Sequence, residues 1–310
     1  MSCISSPCRS WWGTALISCR EISRQGSSCS TNGDSAAGRS TCVTEFGDET
    51  LYVGTSGWQY AHWRETFYPR QVAQREWLEH FAARFQTAEI NNTFYNLPSA
   101  SVFEQWAKRT PDDFTFALKM SRFLTHVRRL REPVQPVGLF LERARMLGAK
   151  RGPTLLQLPP NLEVDAGLLD AALEAFPSGE KVAVEFRHPS WFVTEVRSVL
   201  ERRQAALCLA DRGGIRSPAW ATADWGYVRF HHGRGRPASC YGRAALVAWA
   251  RRLAEMWPHR ANVFVYFNND AHACALRDAI TMARLCAAQG LTPTRVPVAR
   301  EVTLGARGSV

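Results

Sequence analysis

The sequence predicts a closed parallel (β/α)8 barrel, a TIM-barrel-like single domain, and two observations carry that reading. Eight short, β-prone apolar runs each end in polar residues: LYVGTSGW, TAEINNTFY, FTFALKM, TLLQLPP, VAVEFRHP, ALCLADR, YVRFHH and VFVYFNND. Most are separated by stretches of helical periodicity, and strands alternating with helices eight times is the pattern of such a barrel. The length agrees. A barrel takes about 250 residues, and 310 residues allow one barrel with a modest extension.

The elements follow in order. The first strand is Leu51 to Gly57, and its loop, rich in Trp, Tyr and His, ends in Phe67-Tyr68-Pro69. Trp77, Phe81 and Phe85 recur every four residues and form one helical stripe. The second strand is Thr87 to Phe94, after which Pro98-Ser99 opens a helix with Val102, Phe103 and Trp106 inward. The third strand, Phe114 to Met120, follows the turn Thr110-Pro111-Asp112-Asp113. Its helix runs through Leu147 and stops at Gly148, a residue suited to a C-terminal cap. The fourth strand, Thr154 to Leu158, ends at Pro159-Pro160, which cannot donate to a ladder. Asp165 caps the next helix, which buries Leu169, Leu173 and Phe176. The fifth strand is Val182 to Arg187, and Val196, Val199 and Leu200 mark its helix. The sixth, Ala206 to Asp211, is followed by a link without helical pattern, so this unit is degenerate. The seventh strand is Tyr227 to His231, with Leu246, Trp249, Ala250 and Leu253 on its helix. The eighth is Val263 to Asn268, and its helix ends near Gly290. Domain organisation is therefore an extension over 1–46, a barrel over 47–292 and a flexible tail over 293–310.

The extension differs in composition. It is rich in Ser, Gly and Thr and holds five of the nine cysteines, Cys3, Cys8, Cys19, Cys29 and Cys42. It has too few branched aliphatics to offset its ordering entropy, and disorder is expected. A signal peptide is not indicated, because Trp11 to Ser18 is short and interrupted. Met1 is the only Met before Met120, so an alternative reading places a non-Met start near Val43 or Val53, leaving the extension untranslated. Cys208, Cys240, Cys274 and Cys286 form no CxxC pair and no zinc spacing, and are read as small core hydrophobes in a reducing cytoplasm. No metal or cofactor is indicated. No apolar run approaches the roughly 20 residues of a membrane span. The net charge is +10, and residues 1–50 contribute four Arg against five acidic residues, so the barrel carries the excess. A basic surface attracts phosphates, carboxylates or nucleic acid, although 34 Arg against 4 Lys also fits a simple abundance of Arg.

Alternate side chains on a barrel strand face the lumen and the helices. Glu89-Ile90-Asn91, Glu185-Phe186-Arg187 and Arg229-Phe230-His231 alternate polar and apolar, so their polar members are assigned to the lumen. Lys119, Gln157, Asp211 and Asn268 are assigned to the same set. Such groups cost several kcal/mol each if buried unpaired, so they pair with one another or meet a ligand. Internal pairs such as Glu185 with Lys119 and Glu89 with Arg229 are one reading. A pocket for an anionic ligand at the C-terminal mouth is the other. Glu89, Glu185 and Asp211 are the candidate acids or bases, and His231 a candidate proton shuttle. Lys119 is a candidate Schiff-base amine if desolvated, and otherwise a plain ion-pair partner. Arg234 and Arg236, in a Gly-rich loop after the seventh strand, are assigned to phosphate against the alternative of a solvated basic loop. Trp58, Tyr60, Trp63, Phe67, Tyr68, Phe94, Tyr95 and Trp191 crowd the same face, either stacking on a ligand or packing long loops.

The segments VGTSGWQYAHW, FYP, EINNTFY, FALKM, Thr125-His126, LLQLPP, VEFRHPSW, YVRFHHG and YFNND resemble the YecE-like family (domain of unknown function 72), in order from Leu51 to Gly290. The resemblance implies a TIM-barrel-like fold and assigns no reaction. His231-His232 has one His more than the family pattern, and Ala273 stands where a Gly is expected. The expectation for function is a hydrolase or lyase acting on an anionic substrate, including phosphorylated ones. Glu89, Glu185, Asp211, Lys119 and His231 would be catalytic. Trp58, Tyr60, Asn91, Tyr95, Gln157, Arg187, His188, Trp191, Arg229, Asn268 and Asn269 would bind substrate. One rival is a nucleic-acid-binding or metal-dependent nuclease-like barrel, with Glu89, Glu185, Asp211 and His231 around a divalent ion. Another is a binding protein without turnover.

Overall fold

Eight parallel strands close into one barrel in sequence order, each hydrogen-bonded to the next and β8 to β1. The computed structural model describes residues 50–212, 217–257 and 262–302. The expectations for residues 1–46 therefore lie outside the described residues. The strands are β1 (Leu51–Thr55), β2 (Thr87–Ile90), β3 (Thr115–Lys119), β4 (Arg151–Gln157), β5 (Val182–Glu185), β6 (Ala206–Asp211), β7 (Gly226–Phe230) and β8 (Val263–Phe267). The helices are α1 (Trp77–Ala82), α2 (Asn92–Tyr95), α3 (Ala100–Lys108), α4 (Val134–Ala144), α5 (Ala166–Glu174), α6 (Thr194–Arg202), α7 (Arg243–Met256) and α8 (Cys274–Ala287). Among the described residues no helix joins β6 to β7, as the patternless link predicts.

Local chemistry accounts for the boundaries. The Asp165 side chain accepts from Leu168 N at 2.9 Å and starts α5. Gly148 takes a positive φ of 56° after α4, a conformation that costs glycine little. At Gly54 a Cβ would stand 2.4 Å from the Thr87 carbonyl oxygen, so β1 and β2 approach this closely only because no side chain intervenes.

Period-two alternation splits the core in two. Ala117, Leu155, Ala183, Cys208, Tyr227, Phe264 and Tyr266 fill the lumen, while Val53, Leu118, Leu156, Val184, Leu209, Val228 and Val265 pack against the helices. Trp77, Phe81 and Phe85 are buried along their expected stripe. The layer above the luminal apolar residues is polar, and it holds the candidate site.

Two expectations need correction. Cys240 and Cys274 form a disulfide, with Cα atoms 4.9 Å apart, tying the segment after β7 to the start of α8. Only Cys208 and Cys286 are free buried thiols among the described cysteines. The partners are 34 residues apart, and no local motif marks them. The segment 293–302 is also held rather than loose. Pro293 bridges to Leu51, Thr294 N donates to Leu51 O at 2.8 Å, and the Thr294 hydroxyl accepts from Val53 N at 3.1 Å. Arg295 completes the attachment by pairing with Asp113 at 2.8 Å. No described helix is long and apolar enough to cross a membrane.

Candidate functional site

The polar layer has a floor and an open chamber above it. Arg229, fully buried on β7, forms the floor. Its guanidinium donates to Glu89 at 2.7 Å, to Glu185, and to Gln157 at 3.3 Å. Tyr227 adds a second donor to Glu89 at 2.7 Å. Arg187 donates to Glu185 at 3.0 Å and to Gln157 at 2.7 Å. Burial alone would raise both carboxyls, but the Arg229 charge and its hydrogen bonds outweigh that, so Glu89 is held below and Glu185 well below the usual range. Both are fixed carboxylates. His231 sits 3.5 Å from Glu185 and 3.1 Å from the Asn268 amide. Burial lowers its pKa, with the Glu185 contact opposing.

The chamber, about 490 Å³, is lined by Asn91, Phe94, Tyr95, Lys119, Arg122, His126, Gln157, Arg187, Arg229 and Asn268. Its size is that of a small-molecule site. Lys119, Arg122 and Arg187 bring positive charge to it, and no carboxylate is among its lining residues. The Lys119 ammonium stands 4.1 Å from the centre of the Phe94 ring. The short helix α2 places that ring, because the Thr93 hydroxyl donates to Lys119 O at 2.6 Å and locks α2 over the end of β3. A π-helical turn, Phe123–Val127, brings in His126, whose ring meets Phe94 edge to face at 4.9 Å. Burial, then repulsion from Lys119 and Arg187, lowers His126 to about 4, leaving a neutral imidazole.

Six of the seven strands expected to send polar groups inward do so, through Glu89, Lys119, Gln157, Glu185, Arg229 and Asn268. The pair Glu89–Arg229 forms, whereas the pair Glu185–Lys119 does not, because Arg229 and Arg187 occupy Glu185. Asp211 is the exception. Cys208 takes the luminal parity on β6, which turns Asp211 outward to accept from Trp249 Nε1 of α7 at 3.0 Å. It lines a separate hollow with Ala245 and Arg252. Glu89, Glu185, Asp211 and His231 are thus not assembled around a common point. Arg229 lies between the first two, and Asp211 is on the opposite face of the sheet.

The aromatic assignments divide. Tyr95 is 70% exposed at the chamber rim. Trp191 is fully buried, stacks on Phe186 and donates to Leu162 O at 2.7 Å. Trp58 is buried against Trp106 and Phe116, and Tyr60 donates to Ser56 O at 2.6 Å. Trp58, Tyr60 and Asn91 share a smaller hollow of about 190 Å³. Trp63, Phe67 and Tyr68 are core residues. His188 bonds Ser190 at 2.8 Å, and Asn269 is buried on Asp278 and Ser239, so neither lines the chamber. Arg234 and Arg236 are exposed and line no part of it. Arg122 and His126 are lining residues without a strand-end signal. They ride on the turn after β3, where only the Thr125-His126 dipeptide had marked the region.

The DUF72 profile, a protein family of unknown function, matches residues 52–301. The chain belongs to this family. A crystal structure of a DUF72 protein from Thermotoga maritima superposes with a TM-score of 0.68 at 26% identity, covering 76% of this chain and 99% of that one. A DUF72 structure from Enterococcus faecalis gives 0.65 at 17% identity, over 76% and 95%. The YecE protein of Escherichia coli K12 is 32% identical over 145 residues, which is 46% of this chain. That match spans half the length of the relative. The YunF protein of Bacillus subtilis is 22% identical over 79% of this chain and 99% of its own. The barrel of this DUF72 chain is therefore shared with solved structures.

Proposed function

We propose that this DUF72 barrel is an enzyme, a lyase or hydrolase, whose small anionic substrate sits in the chamber above Arg229. The observation that carries this reading is the charge of the lining: four cations, Lys119, Arg122, Arg187 and Arg229, and no carboxylate. Arg122 and Arg187 hold the anion, since guanidinium forks match carboxylate and phosphate oxygens. Asn91, Gln157 and Asn268 orient it. Glu89 and Glu185 keep Arg229 and Arg187 in place instead of donating protons, because both stay ionised.

Calorimetry with inorganic phosphate and with pyruvate tests this. The protein is expected to bind at least one of them at low salt, and Arg122→Gln to weaken binding by roughly tenfold, the loss of one charge-assisted contact. No heat with either anion overturns the reading.

A second reading rests on the rim, where Tyr95 and Phe123 are exposed and the Arg128 guanidinium covers the Phe123 ring at 5.2 Å. Exposed rings beside cations suit single-stranded nucleic acid. Binding of an oligonucleotide with a steep salt dependence supports it. Absence of binding at low salt removes it.

A further inference from the structure

Of the four lysines in the chain, three have ordinary surroundings. Lys108 pairs with Glu104 at 2.6 Å on an exposed helix face. Lys150 donates to the Ala107 and Thr110 carbonyls, both at 2.6 Å. Lys181 is exposed. Lys119 is buried at the end of β3 and faces the chamber. Among the described residues its ammonium has no hydrogen bond and no carboxylate within ion-pair distance, because Arg229, Arg187 and Tyr227 occupy Glu89 and Glu185. Its one close partner is the face of Phe94.

We propose that Lys119 is a Schiff-base lysine, whose ε-amine condenses with the carbonyl of a small anionic aldehyde or ketone held in the chamber. This rests on the anion-binding reading of the same chamber. The charge pattern suits both halves of such a molecule. Arg122 and Arg187 take its carboxylate or phosphate, and the amine lies against the Phe94 ring in the chamber that Asn91 and Gln157 also line, where a carbonyl can approach it. Burial, then repulsion from Arg229, lowers the Lys119 amine to about 8, so a useful share carries a free lone pair near neutral pH. His126, being neutral, adds no further positive charge beside the cation that forms.

The chemistry balances without a cofactor. The Nζ lone pair attacks the carbonyl carbon, a C–N bond forms, and the C=O π pair moves to oxygen, which takes the proton that the now cationic nitrogen releases. The nitrogen lone pair then expels that hydroxyl as water, with a second proton. In sum, amine, carbonyl and one proton give a protonated imine and one water. Nothing is oxidised or reduced. The iminium is an electron sink for breaking an adjacent C–H or C–C bond, and a C–C break is a lyase reaction.

The test uses pyridoxal 5′-phosphate, an anionic aldehyde, with borohydride to fix any imine, followed by mass mapping of labelled lysines with and without inorganic phosphate. An amine titrating near 8 has about two-hundredfold more free base at neutral pH than an ordinary lysine titrating near 10.4. Label at Lys119 is therefore expected to exceed that at Lys108 and Lys181 by at least about tenfold, to increase as pH rises through 8, and to fall when phosphate is added. Lys119→Arg, which keeps the charge, should lose this label. Strong label at Lys119 that phosphate does not reduce upholds the Schiff base and counts against the anion seat. Phosphate binding by calorimetry with label spread evenly over the lysines overturns the Schiff base and leaves the anion seat standing. Neither binding nor selective label overturns both.

Discussion

The two sides of the barrel mouth use the same kind of strand ending for opposite purposes. From β2 to β5, Asn91, Lys119, Gln157 and Arg187 line the open chamber. From β6 to β8, most polar ends are consumed by the protein itself. Asp211 is bound to Trp249, Asn269 to Asp278, and Asp270 to Trp63 and His62, while Arg229 is spent on Glu89 and Glu185. Asp278 is the hub of that second side, accepting also from Tyr241 N at 2.7 Å and from Arg277. A polar residue after an apolar strand thus reaches the chamber only when parity turns it inward.

The largest expected effect comes from breaking the floor that joins the two sides. Arg229→Met leaves Glu89 buried without a cation and Glu185 with Arg187 alone, and should cost about 3–5 kcal/mol of stability, measured by denaturant unfolding. Adding Glu89→Gln should recover part of that loss, since the uncompensated charge is then gone. The pH dependence has a definite sign. Both carboxyls titrate lower in the folded chain than their ordinary 4.5, so their stabilisation is complete above that value and is lost as pH falls through the lowered folded values. An Arg229→Met chain that is as stable as wild type would show that the floor contributes nothing.

A smaller effect is expected on the open side. Lys119 is a cation below about 8 and neutral above it. Phosphate affinity should therefore fall by about threefold to tenfold as pH rises from 7 to 9, with one charge lost from the seat. Lys119→Arg should flatten this profile, and an unchanged slope in that variant would show that Lys119 does not face the anion. The same titration makes the folded chain slightly more stable as pH rises from about 8 to the unfolded lysine value, because over that interval the unfolded chain holds more protons.

The smallest effect is predicted where sequence and structure part company. Asp211→Asn keeps an acceptor for Trp249 and should cost less than about 1 kcal/mol in thermal unfolding. It should leave phosphate affinity unchanged. A large loss of binding would place Asp211 in the chamber after all and erase the contrast between the sides.

The architecture is legible along the chain, because periodicity is a local property. Period-two strands and period-3.6 helices are visible in Glu89-Ile90-Asn91 and in Trp77, Phe81 and Phe85, and eight repeats close only one way. The same alternation located Glu89, Lys119, Gln157, Glu185 and Arg229 on a common face. It misplaced Asp211, because β6 reads Cys208-Leu209-Ala210-Asp211 without a polar residue to fix its phase. Which carboxylate met which cation was decided by distances across the lumen. One long guanidinium on β7 reaches both Glu89 and Glu185, and so Lys119 is left without a counter-ion. The Cys240–Cys274 bond and the arrival of Arg122 and His126 on a turn beyond a strand end also depend on contacts between distant segments, and no spacing along the chain encodes them.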